Sequence, residues 1–167
     1  DSILTSLGVY TTNLPEDGVT IAGGESTTIT ATFAPVAGVE YNGTLTIYSN
    51  DDNDNESPIR ITVTGVGLAP RITVAPENVA FGDVVAGNSE TSSIRISNPG
   101  SSALTVTEIQ FNNNVFSGDL GGQQVIAVGQ FIDLELTFTP TDIDDFEGIL
   151  TVISDAENDQ SLDIPLT

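Results

Sequence analysis

The densest group of side chains able to do chemistry is Asp51, Asp52, Asp54 and Glu56. Closely spaced carboxylates on a loop are how hard cations are gripped, so calcium is the ion this cluster would hold. The cluster lacks the glycine and the distant bidentate glutamate of an EF-hand loop. A solvated hairpin tip is the favoured account of it, and calcium is the alternative that stays open beside it. Asp142, Asp144, Asp145 and Glu147 form a second, weaker candidate.

Catalysis has little else to draw on. The chain has no histidine, no cysteine and no lysine, which removes the common general base, the thiolate nucleophile and the Schiff-base amine. A carboxylate pair of the glycosidase kind is the remaining option. Sugar-processing clefts usually want aromatic platforms, and here there is no tryptophan and only Tyr10, Tyr41 and Tyr48. No catalytic residue is therefore expected, the chain is read as not an enzyme, and no cofactor is expected beyond the calcium reading.

Charge narrows the partners. Twenty-four acidic residues stand against Arg60, Arg71 and Arg95, for a formal net charge of −21. Binding to nucleic acid releases counterions through clusters of Lys and Arg, so no nucleic-acid partner is expected. The same field repels anionic membranes and favours solubility, and it suits a medium salty enough to screen self-repulsion. No apolar run approaches the 18 or so residues of a membrane span, so direct membrane insertion of this segment is not expected. Asp1 opens abruptly without a signal-peptide pattern, which reads as a mature product or a window from a longer protein.

The elements that must carry these loops show themselves through a repeat. Residues 24–49 and 129–154 align without a gap at an offset of 105 residues. Phe33 then meets Phe138, Pro35 meets Pro140, Tyr41 meets Phe146, Gly43 meets Gly148, Leu45 meets Leu150 and Ser49 meets Ser154. In this register the first-copy counterpart of the Asp142–Glu147 cluster is nearly uncharged, which argues against a shared metal site. Ile29, Ala31 and Phe33 alternate with threonines, and Leu134, Leu136 and Phe138 alternate with polar residues. Period-two patterning of this kind predicts strands with one buried face. Ile59/Ile61/Val63, Ile72/Val74, Ile94/Ile96, Leu104/Val106, Leu150/Val152 and Leu162/Ile164/Leu166 continue it, with Gly, Asn, Asp and Pro between them. No useful window shows helical spacing. Asn98-Pro99-Gly100 is read as a turn in which glycine supplies positive φ, and Asn42-Gly43 as a tight turn ahead of a strand.

The fold class expected is all-β, with tandem immunoglobulin-like Greek-key sandwiches of about seven strands each. Residues 1–68 form the C-terminal part of a first unit and residues 69–167 a second, near-complete one. The first has no counterpart of the opening near Pro70, so its first strands are expected to be absent or donated by another chain.

Phe81-Gly82-Asp83-Val84-Val85-Ala86-Gly87, Ile94-Arg95-Ile96-Ser97-Asn98-Pro99-Gly100, Phe138-Thr139-Pro140 and residues 148–154 occur in an order that resembles the ASH-type (ASPM, SPD-2, Hydin) immunoglobulin-like repeats. The resemblance is closest to their bacterial relatives in choice-of-anchor D surface proteins. In the first copy, residues 48–56 and 59–67 resemble that family's closing hairpin and its Gly-x-Gly exit, whereas the second copy ends without one. The resemblance implies a non-catalytic structural repeat module of a secreted or cell-surface stalk, adhesin or filament. Its partners would be neighbouring repeats of the same or an identical chain. Two alternatives stand beside it: a loop-mediated module for a glycan or protein receptor, rigidified by calcium, and a filament subunit assembled by strand donation.

Overall fold

The structure is a computed structural model that describes residues 2–15, 17–50 and 58–167. All of its regular elements are β-strands. They fall into two compact units, Asp1–Gly67 and Leu68–Thr167.

In the first unit β1 (Ser2–Thr5), β4 (Glu40–Tyr48) and β5 (Ile59–Val66) make an antiparallel sheet in the order β1-β4-β5. A separate ribbon pairs β2 (Tyr10–Thr12) with β3 (Ala31–Phe33). Three aromatic rings form the centre of the unit. Tyr10 stacks on Phe33 with centroids 5.0 Å apart, and Tyr41 meets Phe33 edge-on at 5.6 Å. The Tyr10 hydroxyl donates to the Tyr41 carbonyl at 2.9 Å, which satisfies the polar end of a buried ring. Asn42 and Gly43 do not form the expected turn; both lie inside β4, paired with Thr64 and Val63. Gly43 is there for closeness, because a Cβ would sit 3.0 Å from a Tyr10 ring carbon.

The second unit holds two four-stranded sheets. One runs β6-β7-β11-β9, from β6 (Thr73–Ala75), β7 (Glu90–Ser97), β11 (Phe131–Phe138) and β9 (Phe116–Gly118). The other runs β10-β8-β12-β13, from β10 (Gln124–Ile126), β8 (Leu104–Phe111), β12 (Gly148–Ser154) and β13 (Ser161–Leu166). The alternation read in the sequence is the alternation of burial. Ile94, Ile96, Leu104, Val106, Leu134, Leu136, Leu150, Val152, Ile164 and Leu166 face inward and are nearly inaccessible. Burying each such side chain stabilises by about 1.5–3 kcal/mol, so this row is the main source of the unit's stability.

After β6 the chain changes sheets. Val79 pairs in parallel with Leu166. The Val79 N–H donates to Pro165, the Phe81 N–H to the Thr167 carbonyl, and the Thr167 N–H back to Val79. The opening segment of the unit thus lies hydrogen-bonded, in the same direction, beside its last strand.

The second unit repeats the aromatic arrangement of the first. Phe116 stacks on Phe138 at 5.0 Å and Phe146 meets Phe138 edge-on at 5.8 Å. Phe33 and Phe138 occupy equivalent places, and Gly148, like Gly43, lies under the first ring, with a Cβ that would fall 2.6 Å from Phe116. The pairing of Tyr10 with Phe33 and of Phe116 with Phe138 shows the offset to be 106 residues at the first ring and 105 at the second. One residue is lost in the intervening loop of the second copy.

Gly100 corrects the sequence reading as well. Its φ is not among the positive glycine values. A Cβ there would lie 2.5 Å from the Arg71 nitrogen and 2.6 Å from the Ala69 carbonyl oxygen, so the position demands absence of a side chain rather than left-handed backbone.

Candidate functional site

Asp51, Asp52, Asp54 and Glu56 lie outside the described residues. Among the described residues no group of three or more carboxylates gathers closely enough to hold a metal ion. Asp142, Asp144, Asp145 and Glu147 follow one another along the loop between β11 and β12 without converging. Asp144 spends its carboxylate on the Asp145 N–H at 2.9 Å, and Asp142 accepts from the Thr141 hydroxyl at 3.3 Å. These bonds make a turn, not a cation cage. Asn42 is exposed in β4 and donates to Glu40 at 3.1 Å.

The same loop forms one wall of an open cleft of about 1040 Å³ at one end of the second unit. Residues 82–86, Phe138, Phe146 and Thr167 also contribute to its lining. Five acidic side chains, those of Asp83, Asp142, Asp144, Asp145 and Glu147, surround it without a basic residue. Of its apolar lining residues, Ile143 is fully exposed and Val85 about three-quarters so. The cleft therefore offers hydrogen-bond acceptors beside apolar surface, and its lining contains no nucleophile paired with a base.

A second feature lies on the wet face of β7 and β11. Arg95 and Asp133 are directly opposed in the register. The guanidinium donates twice, Nε to Oδ1 at 2.8 Å and Nη2 to Oδ2 at 3.1 Å. It also covers the Phe131 ring, 3.6 Å from its centroid. The Arg95 hydrogen bond holds the Asp133 carboxyl below the usual carboxylate range, and the same bond raises Arg95, in each case against partial desolvation. Both side chains are about half exposed, so the pair orders the surface more than it stabilises the fold.

Two asparagines organise the unit in roles that sequence reading does not assign, since Asn98 reads there only as part of a turn. Asn98 is buried; its amide donates to the Ser102 and Ile126 carbonyls at 2.8 and 2.9 Å, and its Oδ1 accepts from Gly100 at 2.9 Å. Asn158 grips the backbone of Ile72 across 86 residues, accepting from its N–H and donating to its carbonyl. Nothing local announces either role, since Asn in a loop reads first as a turn residue.

A sequence profile of the HYDIN/CFA65/VesB-like Ig-like domain matches residues 70–167. No curated protein sequence matches significantly. Among solved structures, the ASH/PapD-like domain 7 of human CEP192 superposes with TM-score 0.50 at 11% identity, covering 59% of this chain and 83% of that one. A protein of unknown function from Porphyromonas gingivalis W83 superposes with TM-score 0.53 at 11% identity, covering 98% of this chain and 83% of that one. WR4, an MSP family member of C. elegans, gives TM-score 0.45 at 14% identity over 57% of this chain and 94% of that one. At such identities the likeness is one of fold, and with the profile spanning more than half of its length the chain belongs to the HYDIN/CFA65/VesB-like Ig-like domain family.

Proposed function

We propose that the chain is a load-bearing, non-catalytic module of an extracellular or cell-surface stalk, adhesin or filament, acting through neighbouring repeats. Its family, one of Ig-like and ASH-type domains, supports the coarser part of this reading, a structural module without catalysis. The observation that carries the finer part is the parallel pairing of Val79–Phe81 with the end of β13. Tension applied at the two ends of the second unit pulls these segments in opposite directions along their common axis. The Val79–Pro165, Phe81–Thr167 and Thr167–Val79 bonds then share the load in shear. An antiparallel terminal pair pulled from its open end would lose such bonds one at a time.

Because the chain contains no cysteine, handles can be placed at single engineered sites. Extension through Leu68→Cys and Thr167→Cys loads the pair in shear. Extension through Asp83→Cys and Thr167→Cys pulls both segments from the same end and peels them. The shear geometry is expected to require several-fold more force, with one abrupt release of the second unit. Equal forces in the two geometries would remove the mechanical reading.

The acidic cleft with its exposed Ile143 favours a second reading, a loop-mediated receptor module. Its lining suits a cationic or hydroxyl-rich group, the chemistry of a basic protein surface or a glycan. Binding on a protein or glycan array that is lost on Asp142→Asn/Asp144→Asn/Asp145→Asn supports this reading; blank arrays dismiss it.

A further inference from the structure

The opening segment of the second unit is fastened at both of its ends to the same strand. Its later part, Val79–Phe81, is bonded to the close of β13 at Pro165 and Thr167. Its earlier part meets the loop that leads into the start of β13. There the Ile72 N–H donates to Asn158 Oδ1 at 2.8 Å, and the Asn158 amide donates back to the Ile72 carbonyl at 2.9 Å. Between the two fastenings β6 turns to the other sheet and pairs with β7.

The residues ahead of Ile72 are seated as closely. The Ala69 N–H donates to Ser101 Oγ at 3.1 Å, and the Ala69 carbonyl accepts from the Ser101 and Ser102 N–H groups at 2.9 and 3.3 Å. The Pro70 carbonyl accepts from the Glu157 N–H at 2.9 Å, and the Arg71 N–H reaches Asn98 Oδ1 at 3.4 Å. Asn98 is held in turn by the β10–β11 connection: its carbonyl accepts from Gly129 at 2.8 Å and its N–H donates to Gln130 at 3.0 Å. Ala69 and Ile72 are buried, whereas Leu68 is 64% exposed. Within one residue the chain thus passes from solvent into a socket made by the β7–β8 and β12–β13 loops.

We propose that this socket is a load-entry anchor, in which Asn158, Ser101 and Asn98 take up tension arriving at Leu68 together with the sheared pair. The proposal rests on the load-bearing reading and adds to it the residues through which load enters. Its physical basis is the order of attachments along the chain. Force applied at Leu68 and Thr167 has two routes. One runs from Ile72 through Asn158 and along the covalent backbone of β13; the other runs from Val79–Phe81 across to the end of that strand. Both are loaded at once, so their bonds share the force. The three residues of β6 add few bonds of their own. The socket adds bonds to buried backbone groups that no water can replace, which makes their rupture costly. Because its loops belong to connections of both sheets, the opening segment is not drawn away from one sheet alone.

The test holds the full chain at constant force between engineered cysteines in two geometries. Handles at Leu68→Cys and Thr167→Cys load the socket. Handles at Glu77→Cys, an exposed position, and Thr167→Cys start downstream of it and load only the Val79–Phe81 pair. With the Leu68 handle, Asn158→Ala is expected to shorten the lifetime of the second unit about tenfold, and Ser101→Ala, at an exposed side chain whose loss leaves the fold intact, about threefold. With the Glu77 handle, either variant should change it by at most about twofold. A purely structural role would shorten both lifetimes alike; that result, or no change with the Leu68 handle, overturns the anchor. Asn113→Ala removes side-chain bonds to the Glu147 carbonyl and the Val115 N–H, outside the socket, and should act equally in both geometries. If it separates them as Asn158→Ala does, the anchor is again overturned. The load-bearing reading is judged apart from these variants, by wild-type forces with the Leu68 and Asp83 handles, so it can stand when the anchor falls.

Discussion

The side chain of Asn158 and the backbone of Ile72 form a two-bond clasp at 2.8 and 2.9 Å, joining the β12–β13 loop to the opening segment of the second unit. The clasp imitates one rung of a β-ladder where no strand runs. Ile72 is almost wholly buried, so its N–H and carbonyl have no water to fall back on. Asn158→Ala is expected to cost about 2–4 kcal/mol in urea unfolding, since buried partners left unpaired pay their full desolvation. Asn158→Asp should be nearly as damaging, because it keeps the acceptor but sets a carboxylate against the Ile72 carbonyl. A loss under about 0.5 kcal/mol for both would show the clasp to be incidental.

Gly148 and Gly100 should tolerate alanine poorly, for different reasons. At Gly148 the new methyl meets the Phe116 ring, which can shift only by disturbing Phe138, and a loss of about 1–3 kcal/mol is expected. At Gly100 it meets backbone atoms of Ala69 and Arg71, which cannot rotate away, so the loss should be larger. Gly43→Ala should be the mildest, with its nearest contacts at 3.0 Å or beyond on the Tyr10 ring and the Ser6 hydroxyl. Thermal melts of the three variants give the ranking, and the reverse order would contradict this packing.

The Arg95–Asp133 pair contributes a pH dependence whose sign follows from Asp133. Its carboxyl is held below the ordinary value in the folded chain, so the unfolded state binds the proton more tightly. The contribution is present in full above the unfolded Asp value of about 3.9 and is given up as pH falls through the lower folded value. Arg95→Gln should flatten the acid limb in that window by lowering stability slightly at neutral pH, while stability below the folded Asp133 value stays unchanged. An unchanged acid limb would show the pair to be idle.

Divalent cations should act through screening. At a net charge of −21 any salt relieves self-repulsion, so millimolar calcium and magnesium are expected to raise the melting temperature by the same few degrees. A calcium-specific increase that disappears in Asp52→Asn/Asp54→Asn would instead establish the loop cluster as a true site, by mass action on the native state.

What the amino-acid sequence determined by itself was the class of structure and the inward rows. Strand periodicity is local, so Ile94/Ile96, Leu134/Leu136 and Leu150/Val152 could be assigned to a buried face from spacing alone. The 105-residue offset already aligned Phe33 with Phe138 and Gly43 with Gly148. Tertiary structure decided what those matches were for. Gly43 reads as a turn beside Asn42, yet its role is set by the Tyr10 ring from another strand. Gly100 reads as a positive-φ position, yet its limit is imposed by Ala69 and Arg71 across the loop. Asn158 finds Ile72 only after the two sheets have closed. In each case the deciding atom comes from a distant part of the chain. Short-range preferences select strands and turns, while close approach and the pairing of buried polar groups exist only once the sheets are packed.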